Sequence, residues 1–350
     1  MIVSILFFLI IFLLIVVFHE FGHYLIGRIN GIHAKEFFVG LGPKLFHFIK
    51  DDTEFSLRLL PFGGACVFEG MDELMEENNI PSEGSFLKAS VWSRFATTIA
   101  GPLFNIILAY LCGVILSATT GEVIPEIQSV LKDSAAYEAG LKEGDIITSI
   151  NGHYIHLSSE VSFDSYYSDG KEMTITVLRN GEKLVFSVFP KFSEEDNRYY
   201  IGITNGKYIK CNGIDSLKYG LFNVEYILRA TLESLRMMFT GQVGPDDLAG
   251  PVGMVQVVDE TYSTAKSYGF LSVILSMINL TMLLSANLAV MNLLPIPGLD
   301  GGRLLFCIIE MIRRKPIPPE KEGYVNLAGM ALLFVIVILV LFNDISRFFR

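Results

Sequence analysis

Two histidines four residues apart with a glutamate between them, His19-Glu20-Phe21-Gly22-His23, are the residues in this chain best suited to do chemistry. Positions i and i+4 of an α-helix share a face, so both imidazoles can grip one ion. Zinc suits this pairing, and Glu20 then stands beside it, placed to take a proton from a water. A catalytic zinc ordinarily has three protein ligands and one open position, so a third ligand is needed. His33 and Glu36 are near in sequence, but they follow Gly27, Arg28 and Gly31 in what reads as a loop. Asp300 is the better candidate. It lies in the stretch Asn292–Arg303, where Pro295, Pro297, Gly298, Gly301 and Gly302 interrupt an apolar helix. Irregular backbone at membrane depth is tolerated where it is buried in protein or lines a wet cavity, and a carboxylate there needs a cation. The other reading of Asp300 is a cap on a helix starting near Gly301. One residue can do both.

The elements that carry these residues are apolar. Met1–Phe18 has no charged side chain and is about long enough to span a bilayer. It lacks a basic start, since no Lys or Arg precedes Arg28, and it lacks a small-residue cleavage site, so it is expected to stay as a span. Further candidate spans are 95–118, 270–296 and 325–342. The chain of 350 residues is 51% hydrophobic, with mean hydropathy +0.47, more apolar than a soluble domain usually is. The expected division is a first transmembrane helix at 1–28 and a cytoplasmic-side loop at 29–94, with a β-hairpin near 55–69. A second helix follows at 95–118, an inserted domain at 119–192, and a linker with an amphipathic helix at 193–269. A third helix carries Asp300 at 270–300, then a loop at 301–325 and a fourth helix with a tail at 326–350. Arg303, Arg313, Arg314, Lys315 and Lys321 mark the loop after the third span as cytoplasmic. With four spans, both termini and the 119–269 segment then lie outside.

Phe55–Glu69 favours strand, with a break at Pro61, Gly63 and Gly64, and reads as a hairpin. It is either a surface hairpin or an edge that pairs with an extended substrate. The acidic stretch within 71–90 reads as a loop. Pro102 is expected in the first turns of the second span, where a missing N–H matters little, and Asn105 reads as a polar residue that glues helices together. Residues 122–191 alternate short strands and glycine turns with a helix near 157–167, and Asn180-Gly181 is a strong two-residue hairpin signal. Leu217, Leu221, Val224, Leu228, Leu232 and Leu235 form a helical stripe interrupted by charges, which argues for an amphipathic helix over 214–240. Cys66, Cys112, Cys211 and Cys307 are too scattered for a disulfide framework or a thiolate knot. A net charge of −10 excludes a nucleic-acid footprint.

Ser134–Ile155 resembles the core motif of bacterial PDZ domains, which bind extended peptides by strand addition. With it, HExxH at the end of the first span, Gly101-Pro102 with Asn105, and Asn292–Arg303 resemble, in order, the site-2 proteases of the bacterial regulator-of-sigma-E-protease type. The resemblance implies an α-helical polytopic membrane protein of about four transmembrane helices, with an inserted small α+β PDZ domain and a membrane-associated β-hairpin. It implies a zinc metalloendopeptidase (Zn2+ on His19, His23 and Asp300, with Glu20 as base) that cuts single-pass membrane substrates such as anti-sigma factor remnants or leftover signal peptides. It further implies that Asn292 helps hold the reacting water or carbonyl. The expected surroundings are the lipid bilayer of a bacterial plasma membrane, with the PDZ domain on the extracytoplasmic side controlling access and taking a peptide ligand. Some members carry two PDZ domains and only one is evident here. Two other readings remain: a PDZ-containing membrane scaffold with a structural metal, and a membrane-anchored metalloprotease acting on non-membrane segments.

Overall fold

A computed structural model of the chain describes residues 1–71, 83–194, 198–242 and 250–348. The expected acidic loop over 71–90 falls largely on residues 72–82, outside the described residues. The chain divides into two units, residues 1–112 with 231–350, and residues 113–230.

The first unit is built on apolar helices. Helix α1 (Ile2–Ile29) ends beyond the His19–His23 motif and is about 42 Å long at 1.5 Å per residue, more than a bilayer core needs. A β element follows, made of β1 (Ala34–Lys50) and β2 (Thr53–Phe68). Helix α2 (Val91–Thr120) then runs on into the second unit. Ser90 starts α2, its hydroxyl accepting from the Ser93 N–H at 3.1 Å. The helix therefore begins earlier than expected, and Pro102 sits in its interior rather than its first turns.

The β element differs from the expected hairpin over 55–69. The tight turn is at Asp51-Asp52, with φ of 49° and 63°, the pair of positive values a type I′ turn needs. Residues 55–57 and 64–66 do not pair with each other. Both pair with 37–39 of β1, one on each side (Phe37 opposite Phe55 and also opposite Cys66). Gly40 makes this curl possible: its φ is +90°, and a Cβ there would stand 2.6 Å from the Leu60 carbonyl oxygen. Residues 64–67 thus form an outer strand. Ile32, Phe37, Phe68 and Phe86 are buried beneath the sheet, while Leu45, Phe46 and Ile49 stand exposed near its tip.

The other helices of the first unit come from the C-terminal half. They are the end of α5 (Ile214–Phe239), α6 (Pro251–Lys266), α7 (Phe270–Leu293), α8 (Asp300–Arg313) and α9 (Pro319–Phe348). Helix α6 was not anticipated within 193–269. Its signal is Gly250-Pro251, a proline in the first turn, and the Asp344 carboxylate of α9 caps it from outside, accepting from the N–H groups of Gly250, Val252 and Gly253 at 3.1 Å each. The expected loop at 301–325 is largely α8, whose Leu305, Ile308 and Ile312 form an exposed apolar stripe. Among the described residues, α1, α2, α7 and α9 are long and apolar enough to cross a membrane.

The second unit holds β3 (Glu122–Val130), α3 (Ala135–Ala139), β4 (Ile146–Ile150), β5 (His153–Tyr154), α4 (Ser158–Tyr166), β6 (Met173–Arg179), β7 (Glu182–Val188), β8 (Lys191–Ser193), β9 (Arg198–Tyr200) and β10 (Ile203–Ile209). Its main sheet runs β10-β3-β4-β6-β7, with β5 on β4. The inserted domain thus extends past the expected end at 192, because β10 pairs with β3. Ile127, Ile147, Ile150, Ile175 and Val177 form a fully buried core. Asn180-Gly181 turns the β6–β7 hairpin with positive φ at both residues. The buried Asp145 takes a two-pronged ion pair from Arg179, 2.6 Å at each contact. The first part of α5 packs against this unit, with Phe222 stacked on His156. Its buried stripe is Ser216, Gly220, Val224 and Ile227, so of the expected stripe Val224 alone is fully buried, and Leu217 and Leu221 face outward.

Candidate metal centre

His19 and His23 are buried on one face of α1, their rings nearly perpendicular, with Nε2 atoms 3.2 Å apart. Helix α2 crosses close to this face because its residues there are small. A Cβ on Gly22 would stand 2.5 Å from the Ala100 carbonyl oxygen, and a Cβ on Gly101 would stand 2.3 Å from His23 Nε2. From the same stretch of α2 the Thr97 carbonyl oxygen accepts from His23 Nδ1 at 2.9 Å, which leaves Nε2 as the unprotonated nitrogen of that ring. Asn105 is fully buried, with its side-chain amide 3.2 Å from His19 Nδ1. It does bridge two helices, and the partner it reaches is the imidazole.

Asp300 arrives from the opposite end of the sequence. Helix α7 stops at Leu293, the chain turns through Pro295–Leu299, and Asp300 opens α8. Gly301 and Gly302 let α8 start hard against that turn: a Cβ on the first would stand 2.0 Å from the Leu294 carbonyl oxygen, and one on the second 2.6 Å from that of Ile296. The Asp300 carboxylate does not cap the helix. Leu299 is the cap residue, with no side-chain bond, and Asp300 Oδ2 instead lies 3.0 Å from His19 Nε2 and 3.4 Å from His23 Nε2.

These three atoms suit a zinc ion. Bonds of ~2.0–2.1 Å in a tetrahedron give ligand-to-ligand edges of about 3.3–3.4 Å, and the observed separations are 3.0, 3.2 and 3.4 Å. Asp300 Oδ2 is buried yet has no hydrogen-bond partner among the described residues, the state of an oxygen aimed at a cation rather than a proton. Among the described residues this is the cluster that could hold a metal. His33 and Glu36 lie elsewhere: His33 is largely exposed beside Glu69, and Glu36 is bonded to Arg58 and Ser56.

The cluster opens into a cavity of about 290 Å³. Glu20 lines it, and its Oε2 accepts from the backbone N–H of Cys66 in the outer strand at 2.8 Å. Asn292, on the last turn of α7, puts its amide nitrogen 3.4 Å from His19 Nε2. Burial, and then the nearby Glu20 carboxylate, push the Cys66 thiol well above its ordinary pKa, so it stays protonated. All four cysteines are buried and unpaired.

Residues 7–336 match Peptidase family M50. The chain belongs to this family. Among similar proteins, the regulator of sigma-W protease RasP of Bacillus subtilis is 32% identical, with 98% of each chain covered. The zinc metalloprotease RasP of Bacillus licheniformis is 30% identical, again with 98% of each chain covered. This M50 peptidase is therefore a zinc metalloprotease and a multi-pass membrane protein. A solved PDZ domain, that of the SdrC-like protein of Listeria innocua, is 25% identical over 25% of this chain and 99% of its own, with a TM-score of 0.22.

Proposed function

We propose that this M50 peptidase hydrolyses peptide bonds in or near the transmembrane segments of single-pass membrane proteins. The carrying observation is the convergence of His19, His23 and Asp300 at 3.0–3.4 Å on a face of α1 that otherwise belongs to an apolar span. An ionisable cluster is costly there unless it is used. In this reading His19 Nε2, His23 Nε2 and Asp300 Oδ2 hold the zinc. When bound, zinc polarises a carbonyl and acidifies water. Glu20 takes the proton from the attacking water and returns it to the leaving amine. The Cys66 N–H fixes the direction of the Glu20 carboxylate. Asn292 donates its amide N–H to the oxygen that gains charge.

A helical substrate hides its carbonyls, so it must unwind before it is cut. The outer strand 64–67 borders the cavity and offers an edge that favours an extended chain. Anti-sigma factor remnants and leftover signal peptides are the substrate classes that fit, and the name of the Bacillus subtilis relative supports the first. The domain at 113–230 carries the PDZ-like motif and acts on the extracytoplasmic side of the plasma membrane, where it controls entry of substrate ectodomains. The test is Glu20→Gln in the producing bacterium. The variant should keep its zinc, lose turnover of a single-pass reporter by 10²–10⁴-fold, and co-purify with uncut fragments. Undiminished cleavage by that variant would refute Glu20 as the base of the reaction.

A further inference from the structure

Asn105 is fully buried and makes two contacts with other helices. Its side-chain amide stands 3.2 Å from His19 Nδ1, and its backbone carbonyl accepts from Ser285 Oγ of α7 at 2.8 Å. Ser285 is itself fully buried, so the backbone at Asn105 is clamped against α7. Gly101, one turn earlier on α2, faces the same pair of imidazoles. The two positions thus do complementary work: one leaves room for the His23 ring and the other touches the far nitrogen of the His19 ring.

Which end of the amide faces His19 decides what the imidazole can do. If Nδ2 donates to Nδ1, the ring's proton sits on Nε2 and that nitrogen cannot bind a metal. If Oδ1 faces the ring, it accepts from Nδ1–H and leaves the Nε2 lone pair free. With Nδ2 towards the ring, Oδ1 is buried without a hydrogen-bond partner among the described residues. A half-turn of the amide therefore breaks no bond at that end. His23 already shows the same scheme, with its Nδ1 on the Thr97 carbonyl.

We infer that Asn105 is the positioning residue for His19, its Oδ1 accepting from Nδ1–H so that Nε2 is presented to the metal. The inference rests on the zinc-site reading above. It casts α2 as the element that orients both imidazoles, through a backbone carbonyl for one and a side-chain amide for the other. Such outer partners typically change metal affinity 10–100-fold when removed.

The experiment is zinc competition against a fluorescent chelator, using the full-length enzyme in detergent. Asn105→Leu keeps the side chain's approximate bulk and removes the acceptor; its zinc affinity should fall by about 10–100-fold. Asn105→Asp restores an acceptor and should stay within a few-fold of the parent. Affinity in Asn105→Leu equal to the parent overturns the inference, as does an equal loss in both variants. ¹⁵N-histidine NMR of the zinc-loaded parent gives a reading that needs no variant: His19 should carry its proton on Nδ1, and a proton on Nε2 overturns the inference. His19→Ala and His23→Ala separate the two levels. Zinc kept in both means the site reading itself fails, and the role of Asn105 with it.

Discussion

The backbone N–H of Cys66 lies 2.8 Å from Glu20 Oε2, so the outer strand of the β element holds the carboxylate that lines the cavity beside His19, His23 and Asp300. The strand's seat is tight. A Cβ on Gly64 would meet the Phe38 carbonyl oxygen at 2.9 Å and Val16 Cγ1 at 3.0 Å. Gly64→Val should therefore displace the strand, release Glu20 and lower turnover at least tenfold, while zinc content stays at the parent level. Metal analysis beside a cleavage assay checks this. Zinc lost together with activity would mean that the strand supports the ligands themselves.

Gly101 is placed to be even less tolerant. Its Cβ would fall 2.3 Å from His23 Nε2 and 2.8 Å from His19 Cε1. Gly101→Ala should weaken zinc binding by at least tenfold, a loss visible in chelator competition. An unchanged affinity would show that α2 can retreat from α1 at no cost to the site.

Asp145 and Arg179 should matter to the inserted domain and not to the metal. Asp145 is buried, and Arg179 meets both its oxygens at 2.6 Å. Removing Arg179 leaves the buried Asp145 carboxylate charged with the Lys142 N–H as a remaining partner, a loss of roughly 3 kcal/mol, the low end for a buried pair. Arg179→Ala in the full chain should speed hydrogen exchange across β4, β6 and β7 and leave zinc affinity unchanged.

The β element should loosen in acid. Burial alone would raise the pKa of Glu36, but hydrogen bonds from Arg58, Ser56 and Lys44 outweigh it and hold the carboxyl below its ordinary value. A depressed carboxylate contributes stability that is full above the unfolded pKa and is lost as pH falls through the folded one. Proteolytic susceptibility of the tip around Asp51 should therefore rise as pH drops below about 4.5, the ordinary glutamate value. Glu36→Gln should be more susceptible than the parent at neutral pH, as the parent is in acid, and show a flatter profile.

The site was more legible than its scaffold. HExxH at the end of an uncharged run puts two imidazoles on one face without any tertiary information, since i and i+4 share a face whatever surrounds them. Asp300 could be singled out because two prolines and three glycines within a few residues disrupt an apolar helix. The pairing of β1 was hidden by Gly40, Gly42 and Pro43, which break its pattern, and by the fact that its residues 37–39 are sandwiched between two remote stretches of β2. The long reach from β3 to β10 likewise leaves no local trace, so the inserted domain read too short. Helix α5 misled for a different reason. Near a bilayer, leucines need not mark the packed face, and here Ser216 and Gly220 do. The contact of Asn105 with His19 depends on which helix it faces, which no spacing rule reports.

Asp300 is made long after His19 and His23, because the ribosome must first complete the inserted domain and α7. Until then the emerging polypeptide carries two of the three residues of this cluster. If the three act together as proposed, the chain can hold a metal only after the start of α8 has been made, so the order of synthesis delays the assembly of the site.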